Sequence, residues 1–115
     1  MPRFSSIAGL VLLCLASFGL SNLSYAAEEP LSSQRQAELT HLLLHDCGSC
    51  HGMTLKGGLG PALTPDVLAD KPSILLFQTI KFGRPGTPMP LWQGLLSDAE
   101  INWLVRTLKE GVSNE

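Results

Sequence analysis

Three features of the 115-residue chain predict an all-α fold. Apolar residues recur at three-and-four spacing in two well-capped stretches, near residues 33–47 and 97–110. No stretch alternates apolar and polar residues as a half-buried strand does. The 11 glycines and 8 prolines lie mostly in the middle of the chain, where they break it into short elements joined by shaped loops.

Residues 1–26 carry the pattern of a secretory signal peptide. Arg3 makes a positive start, and Ile7 to Leu20 is an apolar run of about 14 residues, short for a hydrocarbon core of roughly 30 Å. Ser24 and Ala26 are small residues placed for cleavage after Ala26. Leu13, before Cys14, is too large for a lipoprotein signal. The expectation is export to the periplasm; an uncleaved anchor is the alternative. What remains, residues 27–115, is one domain with two cysteines, Cys47 and Cys50. An exported chain this small has a marginal core and usually needs a staple, here a tiny disulfide or a tethered cofactor.

The first helix is expected to start at a capping box, with Ser33 as N-cap and Gln36 at N3, and to run to about Cys47. Leu39, Leu42, Leu43 and Cys47 form its apolar stripe; His41 and His45 fall on the opposite, exposed side. Residues 52–63, with four glycines and a proline, form a tight loop. Thr64 as N-cap with Pro65 at N1 opens a short helix, and another begins near Pro72 and stops before Gly83. Gly83 to Pro90, with three prolines, cannot be helical throughout. The last helix has a capping box at Ser97 and Glu100, a staple between Leu96 and Ile101, and a buried stripe of Ile101, Leu104, Val105 and Leu108 before Gly111 ends it.

Composition narrows the function. With 44% hydrophobic and 16% charged residues the chain is neither disordered nor a coat for nucleic acid, and a formal net charge of −2 without a basic patch argues against DNA or RNA binding. The chemistry lies in Cys47-Gly-Ser-Cys50-His51. C-x-x-C-H reads as attachment of a c-type haem: two thiols add to the two vinyl groups, and the following imidazole reaches iron from the same side. A C-x-x-C disulfide or redox pair, a zinc site and a chance match are the competing readings.

A second axial ligand is sought among the methionines. Met53, two residues beyond His51, reaches roughly 7 Å at most and cannot round a porphyrin edge. Met89 lies 38 positions after His51, between Pro88 and Pro90, which restrict the loop on both sides. It is the expected ligand, with core filler as the alternative. His45 precedes the motif on the same helix and is not expected to replace it. Leu59, Leu63, Ile74, Phe77, Ile80, Phe82, Leu91 and Trp92 are candidates to bury the group.

With Cys47-x-x-Cys50-His51-Gly52, Gly60-Pro61-x-Leu63, Met89-Pro90 and a capped terminal helix, the chain resembles the class I monohaem cytochromes c. The resemblance implies three to five short helices around one covalent haem c, with the first and last helices crossing. It further implies that the Pro61 carbonyl accepts a hydrogen bond from Nδ1–H of His51, fixing the ring. Trp103 is the candidate for the usual aromatic of the last helix, although it sits about half a turn from the buried stripe. The stretches HDCGSCHGMTLKGGLGPALTPDVLADKP and GRPGTPMPLWQGLLSDAEINWLV resemble the small periplasmic c-55X cytochromes associated with cd-type nitrite reductase and haem d assembly. That resemblance implies a monomeric electron carrier, not an enzyme, exchanging electrons with redox protein partners of that system. An assembly or chaperone-like subunit, a catalytic or sensory haem protein with Met89 dissociated, and a general donor to another reductase are the alternatives.

Charge is unevenly placed along the chain. Residues 51–96 carry Lys56, Lys71, Lys81 and Arg84 against Asp66 and Asp70, while the rest of the domain is acidic. A positive haem edge steering an acidic partner is the expectation; Arg84 pairing with a haem propionate is another use for that cation.

Overall fold

The structure, a computed structural model, describes residues 29–113. The signal-peptide reading of residues 1–26, including Cys14, lies outside the described residues. Within them the chain is helical, in the order α1 (Ser33–Leu42), a π-turn (Leu43–Cys47), α2 (Gly48–His51), α3 (Pro65–Leu68), α4 (Ser73–Phe82) and α5 (Asp98–Glu110). The only β pairing among these residues is an isolated bridge between Gln93 and Leu96.

The start of α1 corrects the expected cap by one residue. Ser32, not Ser33, is the N-cap, and its hydroxyl accepts from the Arg35 N–H at 3.2 Å. The Gln36 side chain instead donates to the Leu31 carbonyl at 2.8 Å. Either serine can cap; choosing Ser32 leaves Leu31 just outside the helix, where it packs against the core.

Nor does α1 continue unchanged to Cys47. Over Leu43–Cys47 the turn widens, and the Gly48 N–H reaches back five residues to the Leu43 carbonyl. The sequence gives a reason. Leu39, Leu43 and Cys47 are spaced by four, and in an α-helix each such step overshoots by about 40°. One wider turn takes up that drift, so Leu39 and Leu43 are fully buried and Cys47 still packs against the core.

The other elements follow the sequence pattern. Thr64 is extended ahead of Pro65 at the first position of α3. Gly83, at φ 66°, ends α4. α5 has the reciprocal capping box: the Ser97 hydroxyl accepts from the Glu100 N–H at 3.2 Å, and the Ser97 N–H donates to the Glu100 carboxylate at 2.7 Å. Its buried face is Ile101, Leu104, Val105 and Leu108. This face packs with Leu39, Leu43, Leu55, Leu68 and Leu96 into the core. Full burial of such a side chain stabilises by about 1.5–3 kcal/mol.

Two polar links position α5. Arg35 donates to Glu100 across the α1–α5 approach. Lys109 donates to the carbonyls of Lys71 at 2.7 Å and Ala69 at 3.4 Å, holding the turn after α3. Trp103 is half-buried against the core, and flanks a hollow shared with Gln36, Ala37 and Thr40 of α1. It therefore sits at the α1–α5 approach even though it is off the buried stripe.

Candidate haem-attachment site

Cys47 closes the π-turn, and Cys50 and His51 lie on α2. The Ser49 hydroxyl donates to the Asp46 carbonyl at 2.7 Å, tying the motif to the turn before it. Both cysteines are free thiols and half-buried. Burial, and less strongly the charge of Asp46, push the Cys47 thiol up to about 11.

Five backbone hydrogen bonds wind the glycine loop. Leu55 N–H donates to Gly52 O, Gly57 N–H to His51 O, Gly58 N–H to Gly60 O, Gly60 N–H to Cys50 O and Leu63 N–H to Leu55 O, at 2.7–3.0 Å. Leu55 anchors the loop: its side chain is buried in the core although its φ is 59°, in the left-handed region. The loop carries Pro61 over the imidazole, with His51 Nδ1 2.7 Å from the Pro61 carbonyl oxygen. A carbonyl can only accept, so Nδ1 bears the hydrogen and the Nε2 lone pair faces away, free to bind a metal. Gly60 makes the approach possible: a Cβ there would lie 2.9 Å from both Nδ1 and Cε1 of His51.

Met89 is half-buried in the proline-rich loop. Its carbonyl accepts from the Arg84 N–H at 3.2 Å, and its N–H donates to the Thr87 hydroxyl at 3.3 Å. The following chain is tied to the end of α4, with Trp92 N–H to Ile80 O at 3.1 Å and Gln93 N–H to Lys81 O at 3.0 Å. Gly83 packs directly under this segment; a Cβ there would stand 2.7 Å from the Met89 carbonyl oxygen. Met53, by contrast, is 56% exposed. His41 and His45 are exposed, as expected from their side of the helix.

The apolar residues assigned to burying the group divide in two. Leu63, Phe77, Ile80 and Trp92 are partly buried against the core. Leu59, Ile74, Phe82 and Leu91 are not buried by the chain itself, at 95%, 61%, 52% and 59% exposure. Indeed α4 has no fully buried residue, although Ile74, Leu75, Leu76, Phe77, Ile80 and Phe82 make it rich in apolar side chains. The expected positive surface is also weaker than counted. Lys81 is paired with Asp98 at 2.8 Å, an acid outside the 51–96 stretch, and lies 5.4 Å from the Phe77 ring centroid.

The donor set suits a c-type haem. Two thiols three residues apart stand next to an imidazole whose Nε2 is free, and an uncovered apolar helix face is available to a large flat ring. Zinc is a poorer fit, since no three His, Cys, Asp or Glu side chains converge among the described residues.

Comparison with known proteins agrees. The family of cytochrome c oxidase, cbb3-type, subunit III matches residues 34–106, which places the chain among the c-type cytochromes. Cytochrome c55X of Pseudomonas aeruginosa is 52% identical over 111 residues, covering 96% of this chain and 93% of that one. The solved c-type cytochrome NirC is 58% identical with a TM-score of 0.69, covering 71% of this chain and 96% of that one. Dihydro-heme d1 dehydrogenase of Pseudomonas aeruginosa is 36% identical over 69 residues, covering 60% of this chain but only 14% of that larger protein. The chain belongs to the cytochrome c55X family, and its cofactor is covalently bound haem c.

Sequence reasoning found the C-x-x-C-H motif, the proline-rich loop around Met89 and both terminal helices, with the first cap placed one residue late. It missed the buried, left-handed Leu55, the π-turn and the Arg35–Glu100 pair. The one available signal was the run of four-residue steps from Leu39 through Leu43 to Cys47, which drifts by about 80° around an unbroken α-helix.

Proposed function

We propose that this chain is a periplasmic carrier of single electrons, exchanging them with the cd-type nitrite reductase and haem d assembly system. Bound haem c supplies a one-electron ferric/ferrous couple. Cys47 and Cys50 would hold it through thioether bonds, and His51 Nε2 would bind the iron. The Pro61 carbonyl fixes the orientation of that imidazole and raises its basicity. Met89 would supply a thioether ligand, in a loop restricted by Pro88 and Pro90 and tied by its backbone hydrogen bonds to Arg84 and Thr87. With His51 and Met89 both holding iron, no position would be left for substrate there, and sulfur ligation would raise the potential relative to two imidazoles.

The observation that supports this reading is the 2.7 Å contact between His51 Nδ1 and Pro61 O, which leaves the Nε2 lone pair available to a metal. The link to haem d chemistry rests on the relatives, whose names include cytochrome c55X and a dihydro-heme d1 dehydrogenase. In that reading the chain accepts electrons from the last oxidation of haem d synthesis or delivers them to the reductase.

The deciding experiment is a visible spectrum of exported protein, oxidised and reduced, with a pyridine haemochrome assay and an intact mass. One haem per processed chain is expected. Colourless protein, or the mass of the bare chain, overturns the proposal. Stopped-flow mixing with the purified reductase and with the dehydrogenase then sets the direction of transfer.

A further inference from the structure

His41 and His45 are exposed, and their ring centroids lie 4.1 Å apart with planes inclined by 31°. Residues four apart on a helix are neighbours on one face, and the local winding brings these two closer still. In a regular α-helix the fourth residue overshoots the first by about 40°. Here His41 belongs to α1 and His45 to the π-turn, whose wider winding cancels that overshoot and sets one imidazole over the other. Neither ring takes part in a hydrogen bond like that between His51 and Pro61 among the described residues. Their nitrogens are therefore available to solvent.

From this geometry we infer a second metal site, separate from the haem: His41 and His45 together chelate a divalent first-row cation, with copper(II) the strongest. Metal–nitrogen bonds near 2.0 Å place two neighbouring nitrogen donors about 3 Å apart. Each imidazole's lone pair lies in its ring plane, so the facing rings must turn about their side-chain bonds before two nitrogens converge on one cation; both rings are exposed, which leaves room for that turn. Imidazole suits copper, nickel and zinc, and affinity for a given set of nitrogen donors peaks at copper(II). Nearby carboxylates shape the donor set. Glu38, one turn before His41, is held by Arg35 and by Gln34, so its carboxylate is already engaged. Asp46, next to His45, is exposed and adds negative charge beside the pair. With two protein nitrogens and water completing the shell, the site is open and exchangeable.

Oxidised holo-protein titrated with copper(II) chloride at neutral pH tests this, by calorimetry and by the copper signal in electron paramagnetic resonance. One copper per chain with nitrogen ligation is expected. His41→Gln and His45→Gln should each weaken binding at least tenfold, and zinc(II) chloride should bind the wild type more weakly than copper. The visible haem spectrum of both variants should match wild type, so lost binding is not lost folding. Wild-type affinity in either variant, or retained stoichiometric copper in the double variant, overturns the site. So does the lack of a one-to-one endpoint in the wild type.

Discussion

Arg35 Nε and the Glu100 carboxylate meet at 2.6 Å, joining the first turn of α1 to the first turn of α5 across 65 positions of sequence. The same carboxylate closes the α5 capping box on the Ser97 N–H. One side chain thus both starts a helix and docks it.

This double role predicts a pH dependence. The Arg35 hydrogen bond, then that from the Ser97 backbone, holds the Glu100 carboxyl below its ordinary 4.5. A lowered acid stabilises the fold in its ionised form. The contribution is complete above 4.5 and fades as pH falls through the lowered folded value. Glu100→Gln should cost about 1–2 kcal/mol at neutral pH. Thermal denaturation between neutral and acid pH should show a shallower acid loss for the variant than for wild type. Parallel curves would remove Glu100 as the source.

Gly60→Ala should disturb the His51 imidazole by direct contact. The added methyl, 2.9 Å from the His51 ring, forces either the loop or the imidazole to move. A loss of about 1–3 kcal/mol in denaturant titrations is expected. A changed reduction potential should accompany it, because the Pro61 contact loosens. A variant with wild-type potential would show that the ring does not depend on this approach.

The two methionines should behave oppositely. Met89→Ala should lose the near-infrared sulfur-to-iron band of the ferric protein and gain carbon monoxide binding when reduced. Met53→Ala, at an exposed position, should keep the band and stay closed to carbon monoxide. Loss of the band in Met53→Ala alone would reverse the ligand assignment.

Partner docking should depend on some cations more than others. Lys81 is already matched by Asp98, whereas Lys56 and Arg84 are exposed. Electron-transfer rates to an acidic partner should fall with rising ionic strength. Arg84→Gln should flatten that salt dependence more than Lys81→Gln. A flat response in wild type would dismiss steering by this surface.

The sequence was most legible where local chemistry decides the structure. Ser97, Glu100 and Leu96 define the start of α5 within a few residues, and Pro65 and Gly83 punctuate α3 and α4 by backbone restriction alone. Cys47, Cys50 and His51 announce their chemistry by adjacency. What escaped depends on contacts across the fold. Two serines in succession cap equally well, and only the packing of Leu31 selects Ser32. Leu55 takes a left-handed backbone because burying its side chain outweighs the local strain. The Arg35–Glu100 pair has no local signature at all.

The apolar surface of α4 has a consequence for how the molecule matures. This ten-residue helix is held to the core on one side, by partly buried Leu76, Phe77 and Ile80, while Ile74, Leu75 and Phe82 stay exposed. The cofactor then acts as a template for that part of the chain. Covering that exposed side is the remaining source of order for α4, so protease resistance across residues 73–82 should rise once the tether is made.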